Sequence, residues 1–282
     1  MHNYFVVGNP IDHSLSPLVH NYWFKKYKIE GTYEKKKLEE NDLKNFVKEM
    51  KANKYIKGAN ITVPFKNKII PFLDVLTDIS KETLSVNTIF KKNGKLVGEN
   101  TDAPAFYNTL HKDYSLSSAH KLKTLIIGAG GVTSSIIWAV RKLSGTNGEI
   151  YITNRTKQKA SFLLKEIDRI DTGQGAFKGQ INILNWGEMP DVNLIVNTTS
   201  VGLAKNERLP LSFEKFKSNK NILFYDLIYN PKETCFLSEA KQRGNKTMNG
   251  GMMFLLQAAG AFYIWTKKKV EINDEVINLL NQ

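Results

Sequence analysis

Leu122-Lys-Thr-Leu-Ile-Ile-Gly-Ala-Gly-Gly-Val-Thr133 is the stretch that decides the fold. An apolar strand pattern runs directly into Gly128-Ala129-Gly130-Gly131-Val132, and a helical pattern follows over 131–144. In that context a tight glycine turn lets backbone N–H groups approach a pyrophosphate at a helix N-terminus. Thr133 stands where the usual pattern has a third glycine, so slightly looser strand–helix packing is expected there. The next strand, 149–153, ends in Asn154-Arg155-Thr156, with Lys157 and Lys159 beyond it. Sites for NAD usually carry a carboxylate at that place, where it accepts from the ribose hydroxyls. A guanidinium and a hydroxyl suit a 2′-phosphate instead, so the pattern favours NADP(H). Asn197-Thr198-Thr199-Ser200-Val201-Gly202 ends another apolar strand, the place expected for the nicotinamide half.

Outward from this unit, strand and helix patterns alternate along the whole chain, which predicts an α/β protein with mainly parallel sheets. The first third reads as strand 4–9, helix 17–28, strand 32–37, helix 41–52, strand 57–62 and helices near 66–73 and 77–83. Strands 86–91 and 95–99 flank a turn at Asn93-Gly94, and a helix follows over 104–112. The polar connector 113–121 marks a nearby domain boundary. Beyond the glycine turn come helix 157–167, strands near 180–184, 193–197 and 221–225, helix 250–267 and a last helix at 272–281.

Composition narrows the function. The chain has 282 residues, 41% hydrophobic, enough for one large or two ordinary domains with a real core. No signal peptide is expected, and the apolar stretch 252–265 is too short to span a bilayer. A cytoplasmic location and no membrane partner follow as expectations. The single cysteine, Cys235, excludes an internal disulfide and reads as a small buried side chain at a helix start. The histidines lack ligand spacing, so no metal is expected. The formal charge of +13 is mostly scattered lysine rather than an arginine-rich, aromatic-interleaved patch. It is read as a solvated surface that can steer anionic ligands, not as a nucleic-acid interface.

Polar loops carry the candidate chemistry. Gly8-Asn-Pro-Ile-Asp-His-Ser14-Leu-Ser16-Pro-Leu-Val-His-Asn21 follows the first strand and opens a helix with Pro17 in its first turn. Two hydroxyls beside free N–H groups at a helix start can hold a small carboxylate, or one of them can simply cap the helix. Gly58-Ala-Asn-Ile-Thr62-Val-Pro-Phe-Lys66 ends a strand, Asn87-Thr88 ends a short segment, and Asn100-Thr101-Asp102 closes the strand 95–99. Asp102 before Ala-Pro-Ala is also a plausible N-cap. All of these triplets read as strand ends, the ligand side of an open α/β sheet.

In these motifs, together with Val86-Asn-Thr88, the Gly-Ala-Gly-Gly turn, Asn-Arg-Thr, Tyr225-Asp-Leu-Ile-Tyr-Asn-Pro231 and Asn249-Gly-Gly-Met-Met253, the chain resembles the shikimate dehydrogenase family over essentially its whole length. The resemblance implies NADPH-dependent reduction of 3-dehydroshikimate to shikimate, on the route to aromatic amino acids, by a monomer or homodimer. It implies Lys66 and Asp102 as the catalytic pair. Ser14 and Ser16 would bind the substrate carboxylate, Thr62, Asn87 and Gln257 the ring hydroxyls, and Tyr229 would help close the site. Gly128, Ala129, Gly130, Gly131, Val132, Asn154, Arg155, Thr156, Lys159, Thr198 and Gly250 would hold the cofactor. It further implies a substrate domain at 1–103, completed by C-terminal helices over 250–282, around an inserted Rossmann-type domain at 104–249 that closes with it over the ligands. Ala103-Pro104-Ala105, Leu84-Ser85 and Thr133-Ser134-Ser135 depart from the family pattern and leave substrate preference open. An NAD-dependent quinate/shikimate dehydrogenase and a non-catalytic ligand-binding relative are the alternatives.

Overall fold

A computed structural model describes residues 1–113, 122–145, 148–170, 179–216 and 222–281. The connector expected over 113–121 lies, from residue 114, outside the described residues. The chain divides into two compact units: Met1–Ala105 with Leu255–Gln282, and Phe106–Phe254.

The first unit contains β1 (Asn3–Gly8), α1 (Ser16–Lys26), β2 (Thr32–Lys37), α2 (Leu43–Ala52), β3 (Ile56–Ile61), β4 (Val75–Leu76), α3 (Asp78–Thr83), β5 (Thr88–Lys92) and β6 (Lys95–Glu99). The helix α4 (Asp102–Asp113) begins in it and continues into the second unit. Its sheet has the order β2-β1-β3-β5-β6-β4. β1 pairs in parallel with β2 and β3, whereas β5 is antiparallel to both β3 and β6. β4 pairs in parallel with β6, so this sheet is mixed but mainly parallel, as expected. Asn93 and Gly94, both with positive φ, form the two-residue turn that joins β5 to β6, as their sequence predicts.

Apolar spacing explains how α2 packs. Leu43, Phe46, Val47 and Met50 recur at helical intervals, are all buried, and join Ile56, Ile61, Ile89 and Leu96 in one core. Truncating Phe46 to Ala would cost about 3–5 kcal/mol. The helix expected near 66–73 is only a 3-10 turn at Ile70–Phe72. Pro71 supplies no N–H for a bond back to Asn67, which prevents a longer helix through this position.

In the second unit lie β7 (Lys123–Ile127), α5 (Thr133–Ser144), β8 (Glu149–Thr153), α6 (Lys157–Ile170), β9 (Gln180–Leu184), β10 (Leu194–Asn197), β11 (Leu223–Asp226), α7 (Cys235–Gln242) and β12 (Lys246–Met248). All pairings in its sheet, ordered β12-β11-β10-β7-β8-β9, are parallel. Counted from β7, this is the doubly wound dinucleotide-binding order, with its switch point between β7 and β10. Cys235 is half-buried rather than buried. The last elements are α8 (Gly251–Thr266), which leads back into the first unit, and α9 (Asp274–Asn278).

Close approach fixes one glycine of the first unit. A Cβ on Gly58 would lie 2.1 Å from Trp265 Nε1, and this indole donates to the Ile89 carbonyl at 3.0 Å. The end of α8 is thereby seated on β3 and β5. No helix among the described residues is long and apolar enough to cross a membrane.

Candidate active site

Topology explains why distant loops meet in the first unit. β1 and β3 run in parallel, so the segments after Gly8 and Ile61 leave the same sheet edge. β5 runs the other way and begins at that edge, and β6 reverses again and ends there. Asn87 therefore precedes its strand instead of ending one, yet still joins Lys66 and Asp102.

Lys66 Nζ donates to Asp102 Oδ2 at 2.6 Å, with the side chains only 12% and 7% exposed. The other carboxylate oxygen, Oδ1, accepts from Asn87 Nδ2 at 2.9 Å. Both oxygens of Asp102 are thus held, and the carboxylate fixes the lysine. Among the described residues Asp102 is the one hydrogen-bond partner of Nζ, which leaves ammonium protons for a ligand. Asp102 is not the N-cap: it is the first residue of α4, and Asn100 Oδ1 accepts from the Ala103 N–H at 3.0 Å instead. This frees the Asp102 carboxylate for Lys66.

Asn87 is 3% exposed and is the hub of the site. Its Nδ2 also donates to Thr101 Oγ1 at 2.9 Å and Gln257 Oε1 at 3.4 Å, and its Oδ1 accepts from the Thr101 N–H at 2.7 Å. Behind it, Asn60 donates to the Asn87 carbonyl and to Thr88 Oγ1, both at 3.0 Å, and accepts from the Tyr33 hydroxyl at 2.6 Å. Asn60, Thr88 and Thr101 received no role from sequence. Their signal was a polar side chain within or beside an otherwise apolar strand, where burial requires a partner.

The remaining sequence-predicted residues of this unit fall in two places. Ser16 is buried at the start of α1, and its N–H donates to Ser14 Oγ at 3.3 Å. Half-buried Thr62 follows β3 and donates its N–H to the Val7 carbonyl at 2.9 Å, at the edge from which the Ser14 loop departs.

Parallel strands bring the loops of the second unit to one edge. Gly128 has φ +116°, and a Cβ there would lie 2.5 Å from Thr198 Oγ1, so only glycine fits. A Cβ on Gly130 would meet nothing within 4 Å, so the turn is open on that side. Ala129, Gly131 and Val132 are half-buried along the same turn. After β8, Asn154 Nδ2 donates to the Thr156 carbonyl at 2.8 Å, closing a short turn. Arg155, Thr156 and Lys159 are exposed, and Arg155 has no hydrogen-bond or ion-pair partner among the described residues. Thr198 is buried after β10, and the Gly250 N–H donates to the Ile228 carbonyl at 3.0 Å. Tyr229 stacks on Phe254 with ring centroids 4.3 Å apart. An open backbone turn followed by an unpaired guanidinium fits a phosphorylated dinucleotide.

Thr133 corrects an expectation. It is fully buried and hydrogen-bonded, so the packing at the third-glycine position is tight. A second feature went unread in the sequence. Asp226 is fully buried, accepts from Asn197 Nδ2, the Ile228 N–H and Thr234 Oγ1, and faces no cation in these bonds. Burial pushes its carboxyl up to about 6.

Comparison with known proteins agrees with this geometry. Residues 6–89 match the family model for the shikimate dehydrogenase substrate binding domain. A shikimate dehydrogenase (NADP(+)) of Pelagibacter ubique is 45% identical over 278 residues, 99% of this chain and 98% of that protein. The crystal structure of shikimate dehydrogenase from Aquifex aeolicus superposes with a TM-score of 0.84 at 33% identity, covering 100% of this chain and 96% of that one. The Thermus thermophilus shikimate 5-dehydrogenase, solved in complex with NADP(H) and shikimate, gives 0.83 at 30% identity, covering 100% and 99%. The chain belongs to the shikimate dehydrogenase family.

Proposed function

We propose that this chain is an NADP-dependent shikimate dehydrogenase, reversibly reducing 3-dehydroshikimate to shikimate with NADPH in aromatic amino-acid biosynthesis. The observation that carries this reading is the Lys66–Asp102 pair, 2.6 Å apart, sequestered, and with ammonium protons to spare. The first unit is the substrate domain and the second the cofactor domain. The cofactor's chemistry is hydride donation to the C3 carbonyl carbon. Lys66 gives a proton to the C3 oxygen in reduction and receives it in oxidation. Asp102 orients Lys66 and accepts from a substrate hydroxyl. Asn87, Gln257 and Thr62 bind ring hydroxyls, and Ser14 and Ser16 bind the carboxylate. The glycine turn 128–132 holds the pyrophosphate, Asn154, Arg155, Thr156 and Lys159 the 2′-phosphate, and Thr198 and Gly250 the nicotinamide half. The proposed working form is a monomer or a homodimer. A cytoplasmic location fits the use of NADPH as reductant.

The test follows NADPH absorbance with purified protein and 3-dehydroshikimate, with NADH and the pair quinate plus NAD alongside. Fast NADPH consumption with much slower NADH consumption is expected. Activity confined to quinate and NAD would overturn the cofactor and substrate. Ligand binding without turnover in any pair would remove the catalytic assignment.

A further inference from the structure

Thr133 replaces the third glycine of the dinucleotide turn, and its hydroxyl is part of a buried relay in the second unit. The Gly130 N–H donates to Thr133 Oγ1 at 3.1 Å, and Thr133 Oγ1 lies 3.0 Å from Thr198 Oγ1. The Thr198 hydroxyl donates to the Ile127 carbonyl at 2.9 Å. Each hydroxyl carries one proton; with Thr198 donating to Ile127, the Thr133 proton is shared between Thr198 Oγ1 at 3.0 Å and the Gly128 carbonyl at 3.3 Å. The two hydroxyls thus link the Gly130 N–H and the Gly128 carbonyl, through Thr133, to Thr198 and the Ile127 carbonyl. Thr133 is 0% and Thr198 9% exposed, so water is a poor substitute for either partner.

The relay joins two segments that leave different strands. Gly130 belongs to the turn after β7, and Thr198 to the segment after β10. Backbone bonds contribute too, since the Thr198 N–H donates to the Ile127 carbonyl at 2.9 Å. That bond fixes where β10 ends but does not reach Gly130. The Thr133 hydroxyl bonds both to the Gly130 N–H and to Thr198, and so ties the tip of the glycine turn to the neighbouring strand end. Glycine or alanine at this position could not do so.

We propose that Thr133 is a positioning residue for the cofactor: its hydroxyl locks the glycine turn to Thr198, so that the pyrophosphate and nicotinamide contacts are preset in one register. This rests on the assignment of the turn to NADP(H). Because the relay touches no part of the 2′-phosphate segment at 154–159, it acts on NADPH and NADH alike. Arg155 acts on NADPH alone. A residue that merely held the domain together would lower the active fraction and leave KM unchanged.

The test uses Thr133→Val, which keeps the branched shape and removes the hydroxyl, and Thr133→Ser, which keeps the hydroxyl. Both are compared with the wild-type chain for Kd of NADP+ by calorimetry and for KM and kcat with NADPH and NADH. Thr133→Val is expected to raise Kd and both KM values about tenfold, the scale of one lost neutral hydrogen bond. Its kcat at saturating cofactor should stay within about twofold, and Thr133→Ser should recover wild-type affinity. Unchanged affinity in Thr133→Val, or a loss that Thr133→Ser shares, would overturn the proposal while leaving the cofactor assignment intact. A wild-type chain that binds no NADP+ would overturn that assignment, and the role of Thr133 with it.

Discussion

The ligand edge of the first sheet is built from side chains, and that of the second mainly from backbone. Around Lys66, each functional group is held by another side chain: Lys66 by Asp102, Asp102 by Asn87, and Asn87 by the Thr101 hydroxyl, with Asn60 bonded to the Asn87 carbonyl. Around Gly128 the turn itself forms the surface, and the exposed Arg155 is the positive charge proposed for the 2′-phosphate. The difference follows from what each edge must do. A proton donor has to be aimed within tenths of an ångström, which requires a dense and buried polar network. A pyrophosphate is gripped by peptide N–H groups, which strand, helix and a single buried hydroxyl hold in place. Substitutions at the first edge should therefore remove chemistry, and those at the second should change affinity.

The largest break in this comparison is Lys66→Ala. Loss of the proton donor should lower kcat about 10³-fold, or about 4 kcal/mol, with the KM for 3-dehydroshikimate within a few-fold. Steady-state kinetics check it, and an unchanged kcat would take Lys66 out of the mechanism.

The units should also respond oppositely to acid. His20 in the first unit is fully buried against Tyr33, with ring centroids 4.3 Å apart, and makes no hydrogen bond among the described residues. Burial lowers its pKa from 6.5 to about 3. Between those values the unfolded chain binds a proton that the native one does not, so stability falls as pH drops through 6.5. By pH 4 the loss is about 3 kcal/mol. Asp226 in the second unit is raised from 3.8 to about 6, so there the native state binds the extra proton. Stability withheld at neutral pH returns as pH falls from 6 toward 3.8, by about 2 kcal/mol at pH 4. Amide-exchange protection factors, read separately for the two units at pH 7 and pH 4, should drop in the first and rise in the second. His20→Phe should abolish the drop and Asp226→Asn the rise. Parallel changes in both units would contradict the assignment.

Smaller is the effect of Arg155→Ala, which should raise the KM for NADPH about 20-fold and leave that for NADH within about twofold. Equal losses for both cofactors would refute the 2′-phosphate assignment.

These two edges also differ in how far the sequence discloses them. The second unit was almost fully legible, because an apolar strand, a glycine turn and a helix are contiguous in the chain. Its parallel order then follows from alternation. What escaped there was local: β12 is three residues long, and the hydroxyl of Thr133 meets that of Thr198, which follows a strand more than sixty residues away. The partners of Asp226 likewise come from three separate segments. In the first unit the motifs were legible but their meeting was not. Lys66, Asn87 and Asp102 converge because β5 reverses direction, and no periodicity in 86–99 states which strand β5 will pair with. Pro71 outweighs the apolar pattern around it and leaves a single 3-10 turn.

The most direct test of the division of labour is a crossed measurement on Lys66→Ala and Arg155→Ala: NADP+ affinity by calorimetry, and turnover at saturating NADPH and 3-dehydroshikimate. The account predicts that Lys66→Ala binds NADP+ as the wild-type chain does and turns over about 10³-fold more slowly, whereas Arg155→Ala binds NADP+ weakly and turns over at nearly the wild-type rate once saturated. Loss of NADP+ binding in Lys66→Ala, or of saturated turnover in Arg155→Ala, would contradict it.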